Sequence, residues 1–127
     1  MSDGLAPGRP RVVLKPWGEE RIFAEGGRYA GKLLSIRRGE ALSFQYHVRK
    51  EETIHVLDGI LGLLVERDGV RKDLRLSAGE TFHVEPGTRH QMSAPDGDVL
   101  LVEVSTPELD DVVRLEDRYG RKGTSAP

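Results

Sequence analysis

The stretch GEALSFQYHVRKEETIHVLDG, residues 39–59, decides how this chain is read. Over residues 41–48 Leu42, Phe44, Tyr46 and Val48 fall on one side, and Ala41, Ser43, Gln45 and His47 on the other. That period of two belongs to a β-strand, whose successive side chains point to opposite faces. Gln45 and His47 sit two apart, Glu52 follows five later, and a glycine closes each end. An ordinary half-buried strand would leave Gln45 and His47 in solvent. The other reading has these polar groups converge inside the protein, and one strand leaves both open.

Working outward, the chain is a series of short apolar segments: RVVL, ERIFA and GKLLSI before the stretch, then ILGLLVE, LRLS, ETFHVE and VLLVEV after it. Turn signals separate them, among them EGG, RRGE, SAGE, EPG, PDGD and Asp-Gly at 58–59 and 68–69. Asp-Gly between apolar runs is a hairpin signal, because both residues accept positive φ at little energy. Many short strands with regular turns predict an all-β sandwich or barrel. PELDDVVRLEDRYG is the one stretch with a helical option, and it reads equally well as an ordered arm. Residues 1–10 and 122–127, rich in Gly, Pro, Ser and charge, are expected to be flexible ends around one domain at 11–121.

The 127 residues fit a single domain, large enough to bury a core without a metal or disulfide to hold it folded. There is no cysteine, which excludes disulfides, thiolate catalysis and thiolate-bound zinc, and suits a reducing compartment. The net charge is −2 with both signs intermixed, so no basic stripe or acidic tail points to nucleic acid or lipid. The opening MSDGLAPGRPR holds no secretory apolar run, and no later segment has membrane-spanning length. These features predict a cytoplasmic protein with a small-molecule partner.

A second stretch, GETFHVEPGTRH at 79–90, again runs glycine, strand, Pro-Gly turn, histidine. Together the two stretches resemble the paired motifs of the cupins. The first reads Gly39, five residues, Gln45-Tyr46-His47, four residues, Glu52, six residues, Gly59; the second runs from Gly79 through Pro86-Gly87 to His90. Gln45 stands where that family usually has its first histidine, and Ala94 where an asparagine often follows. KPWGEE (15–20), YAGKLLSIRRGEALSFQYH (29–47) and DDVVRLEDRYGR (110–121) further resemble the cupin domain of type II mannose-6-phosphate isomerases, a subfamily that also places Gln at the first position.

The resemblance implies a double-stranded β-helix, or jelly roll, with a short C-terminal arm or helix. It implies that Gln45, His47, Glu52 and His90 hold a divalent ion. Two imidazole nitrogens and two oxygens suit zinc, manganese, iron or cobalt, and resemblance to the isomerases favours zinc. His55 and His83 are expected to pack elsewhere. The implied reaction is aldose–ketose isomerisation of a sugar phosphate, mannose 6-phosphate to fructose 6-phosphate. Lys32 and Glu103 are the candidate bases, and Arg114 is the candidate phosphate-holding residue because guanidinium grips phosphate bidentately. Tyr119 and Arg121 are secondary candidates, and Trp17 is expected to anchor packing. The alternatives are another metal-dependent cupin enzyme, an oxygenase or lyase, or a non-catalytic sugar-binding cupin. If Gln45 and His47 face the lumen, Leu42, Phe44 and Tyr46 face outward and need cover, which predicts a homodimer.

Overall fold

The computed structural model describes residues 4–124. The flexibility expected of residues 1–3 and 125–127 lies outside the described residues. Two antiparallel sheets face each other. One is ordered β1 (Arg11–Lys15), β2 (Gly18–Glu25), β3 (Ala30–Ile36), β10 (Val99–Ser105), β5 (Glu52–Asp58), β8 (Thr81–Val84). The other is ordered β11 (Val113–Glu116), β4 (Phe44–Tyr46), β9 (Arg89–Ser93), β6 (Ile60–Arg67), β7 (Val70–Ser77). This is the all-β jelly roll expected from the sequence. No helix among the described residues is long and apolar enough to cross a membrane.

Strand alternation builds the interior. β3 turns Lys32, Leu34 and Ile36 inward, β10 turns Glu103, Leu101 and Val99 inward, and β5 turns Glu52, Ile54 and Val56 inward. Register stacks like with like: Leu101 lies opposite Leu34, Val99 opposite Ile36, and Glu103 opposite Lys32. The interior is therefore divided along the strands. One end is apolar, packed by Trp17, Leu34, Ile36, Val56, Leu61, Leu63, Met92 and Leu101. Burying each large apolar side chain contributes roughly 1.5–3 kcal/mol. The other end carries Lys32, Glu103, Glu52 and Glu20, buried and charged.

The two Asp-Gly pairs separate in role. Asp68-Gly69 closes the β6–β7 hairpin with φ of 53° and 76°, as a two-residue turn of this kind requires. Asp58-Gly59 makes no hairpin. It carries the chain from β5 in one sheet to β6 in the other, with Gly59 at φ 85° and its missing Cβ only 2.4 Å from the Asp98 carbonyl oxygen. Close backbone approach, rather than strand pairing, explains that glycine.

Two expectations are corrected. The strand of 41–48 contracts to Phe44–Tyr46, because Ala41 forms only an isolated bridge to Ser93 and the Leu42 amide bonds the Met92 carbonyl. Leu42 therefore joins the core instead of pointing outward. Phe44 is buried within the single chain under the Arg71 guanidinium, and Arg89 lies over Tyr46. Of the residues from which the homodimer was argued, Leu42 and Phe44 are thus buried within the chain and Tyr46 is half-buried. The helical option at 107–120 is also not taken: its middle forms β11, which pairs with β4 and satisfies its backbone as a strand.

Candidate metal centre and charged cavity

β4 and the loop after it place Gln45 and His47, β5 opens with Glu52, and β9 brings His90 directly opposite Gln45. His47, Glu52 and His90 are buried, and one donor atom from each lies within 4.8 Å of the others. The His47 and His90 Nε2 atoms approach Glu52 Oε1 at 3.1 and 3.2 Å, with ring centroids 5.1 Å apart. Gln45 lines the cavity beside His47, and its side-chain oxygen accepts a 2.6 Å hydrogen bond from Ser43 Oγ.

The tautomers can be assigned from the acceptors. His47 Nδ1 lies 2.6 Å from the Asp111 carbonyl oxygen and His90 Nδ1 lies 2.9 Å from that of Thr88. A carbonyl only accepts, so each Nδ1 carries the proton. In the neutral rings each Nε2 is then a lone pair turned on a carboxylate oxygen. Among the described residues His90 Nε2 and Glu52 Oε2 are buried without a hydrogen-bond partner, and Glu52 Oε2 has an ion pair to Lys50 at 3.3 Å. Imidazoles braced at the far nitrogen, with the near nitrogen turned on a buried carboxylate, are how proteins present metal ligands. The donor set fits a divalent ion.

Around it runs a chain of alternating charge. Lys50 Nζ is 3.3 Å from Glu52 Oε2 and 3.8 Å from Glu103 Oε2. Glu103 Oε2 is 3.6 Å from Lys32 Nζ, which lies 3.3 Å from Glu20 Oε1; Lys15 Nζ closes the series 3.9 Å from Glu20 Oε2. Burial pushes the Glu52 carboxyl up, but opposing effects led by the Lys50 charge hold the acid well below the ordinary carboxylate range. Burial, with Lys50 nearby, lowers the Lys32 ammonium against the opposing pull of Glu20.

Of these groups Lys15, Glu20, Lys32 and Lys50 line a cavity of about 550 Å³ walled by β1, β2, the 42–50 segment and the 107–112 arm. Arg114 lines it and is buried. Its Nη1 donates to the Thr124 carbonyl, and its Nε has no hydrogen-bond partner among the described residues. Arg121 pairs with Asp117, its Nε and Nη2 reaching the carboxylate at 2.9 Å each. Trp17 is buried in the core, and Tyr119 hydrogen-bonds Glu40. His83 pairs with Glu51 on the surface, and His55 is on the face of β5 opposite Glu52.

Sequence reasoning missed Lys50 and Asp111. Lys50 lies inside the first motif, but in Arg49-Lys50-Glu51 it resembles a solvated charge run. Asp111 precedes two valines, where an acid that caps free amides is a usable signal.

Residues 8–117 match the family described as Mannose-6-phosphate isomerase C-terminal. The chain is 35% identical over 115 residues to the mannose-1-phosphate guanylyltransferase of Escherichia coli K12, covering 87% of this chain and 23% of that protein. It is 36% identical to mannose-1-phosphate guanylyltransferase ManC of Salmonella typhimurium, with the same coverage. The chain thus spans about a quarter of the length of these curated relatives. Among solved structures, the capsular polysaccharide assembling protein CapF of Staphylococcus aureus superposes with a TM-score of 0.76 at 17% identity, covering 90% of this chain and 33% of that one, a likeness of fold. The expected conversion of mannose 6-phosphate to fructose 6-phosphate is overturned, because these relatives are named for guanylyl transfer to mannose 1-phosphate and not for isomerisation. By fold a cupin, the chain belongs to the mannose-6-phosphate isomerase C-terminal family.

Proposed function

We propose that this chain is a divalent-metal cupin that binds a phosphorylated sugar, with mannose 1-phosphate the first candidate by analogy to the names of its relatives. The observation that carries the proposal is the pair of braced imidazoles turned on Glu52 beside a cavity that Lys15, Lys50 and Arg114 make basic on one side. His47, Glu52 and His90 hold the ion, and Gln45 completes the set through the acceptor site that Ser43 leaves free on its oxygen. Two imidazoles and a carboxylate with an open position favour zinc. Bound there, the ion would supply Lewis acidity toward sugar oxygens.

The protein's own groups divide the remaining work. Arg114 holds the phosphate through its unpartnered Nε edge, as a guanidinium can. Lys32 and Glu103, paired at 3.6 Å, are the groups able to hold or move a proton near the sugar. The curated relatives are enzymes by name, which supports a catalytic rather than a purely binding role.

The test measures metal content, then binding of mannose 1-phosphate and of mannose to metal-loaded and chelated protein. Expected are one bound ion, a preference for the phosphorylated sugar, and weaker binding of both sugars on chelation. His90→Ala and Glu52→Ala should each release the ion; full occupancy in either would remove that residue from the ligand set. Arg114→Ala should weaken binding of the phosphorylated sugar at least tenfold and leave the neutral sugar nearly unchanged. Equal losses would overturn its role.

A further inference from the structure

We infer that Asp111 is the positioning residue of the metal centre, fixing His47 and Lys50 together from the C-terminal arm. The inference rests on the metal site proposed above. The segment between His47 and Glu52 has no strand partner of its own, although it separates two ligands. Asp111 replaces that partner. Its Oδ1 accepts the Val48 amide at 3.0 Å, and its Oδ2 accepts the Arg49 and Lys50 amides at 2.7 and 2.9 Å. Its carbonyl oxygen accepts the His47 Nδ1 proton at 2.6 Å. One residue therefore sets the tautomer of a ligand, the path of the loop behind it, and the backbone from which Lys50 reaches Glu52 Oε2 at 3.3 Å.

Neighbouring contacts hold the arm in register with this loop. The Thr106 amide bonds the Glu51 carbonyl and Thr106 Oγ1 accepts the Glu51 amide, both at 3.0 Å, while β11 pairs with β4 just beyond. Asp111 lies between these two attachments, so releasing its carboxylate frees the loop at its middle while both ends stay fixed. His90 is independent of the arm, because the Thr88 carbonyl on its own turn braces it. The two imidazoles should therefore respond differently when Asp111 is changed. A general loss of folding would affect both.

The experiment uses the full chain with Asp111→Ala and Asp111→Asn. Zinc affinity is measured by competition with a chromophoric chelator, and the two imidazole Nδ1 protons are followed by NMR in ion-free protein. The expected result is a roughly 10–100-fold weaker zinc affinity for Asp111→Ala. Asp111→Asn should lose less, since its amide oxygen still accepts a loop amide. The His47 proton should broaden or vanish while the His90 proton persists. Unchanged affinity with an intact His47 signal would overturn the inference, and so would simultaneous loss of both imidazole signals. If Asp111→Ala does not fold, Asp111→Asn is judged by the same readouts. Wild-type protein that binds no zinc would overturn the metal site, and the His47 proton alone would then decide whether Asp111 positions that ring.

Discussion

At the scale of single residues, burial decides which charges matter. Asp117 is an instructive case outside the metal centre. It accepts hydrogen bonds from the Arg121 amide at 2.7 Å and from the Arg121 guanidinium at 2.9 Å, and those bonds hold its carboxyl below the ordinary value. A depressed folded-state pKa means stability that is present above the unfolded value and lost as pH falls through the folded one. The stability that Asp117 contributes should therefore begin to fall below about pH 4, near the unperturbed value for aspartate. Asp117→Asn should lower the melting temperature at pH 7, because Arg121 is left buried with a weaker partner, and should flatten the acid limb between roughly pH 4 and 2. Melting curves across that range check both effects; an unchanged acid limb would mean the pair contributes nothing to the pH response. The same residue scale limits sequence reading. The resemblance pointed to Gln45, His47, Glu52 and His90, of which His47, Glu52 and His90 converge, but Arg114 and Arg121 could not be distinguished, because only the fold shows which of them meets Asp117.

At the scale of elements, turn chemistry was readable and its three-dimensional use was not. Asp-Gly occurs twice, with positive φ at both Asp68 and Gly69 but only at Gly59 of the other pair, and one copy closes a hairpin while the other crosses between sheets. The partner across the gap, the Asp98 carbonyl, also separates them. Gly59→Ala would force an L-residue into φ 85° and drive its Cβ toward that carbonyl. Strain of this kind costs about 1–3 kcal/mol, before the clash is relieved. Chemical denaturation should show a loss of that size or larger, whereas Gly79→Ala, at φ 93° but with open space, should lose less. Equal losses would mean that the close approach adds nothing. The arm shows the opposite limitation. Its acidic, β-branched sequence has no strong period, so its strand character came from β4 and not from local preference.

At the scale of the whole molecule, the alternation that predicted an all-β barrel also dictated its divided interior, since inward positions along β3, β10 and β5 change from charged to apolar within each strand. What alternation could not supply was the position of the switch, which depends on register between strands far apart in sequence. Leu101 is fully buried in the apolar end, two residues from Glu103 on the same strand. Leu101→Ala should cost about 2–5 kcal/mol by leaving a cavity, while the folded fraction keeps its metal stoichiometry. Denaturation together with metal analysis tests this, and a variant that loses the ion while still folded would show the two ends to be coupled.

The division has a consequence for how such a barrel can change over generations. A scaffold anchored by grease at its floor tolerates rewriting of the ionic rim, because most of its apolar packing lies apart from the charged end. Inheritance can then preserve the vessel while its contents diverge.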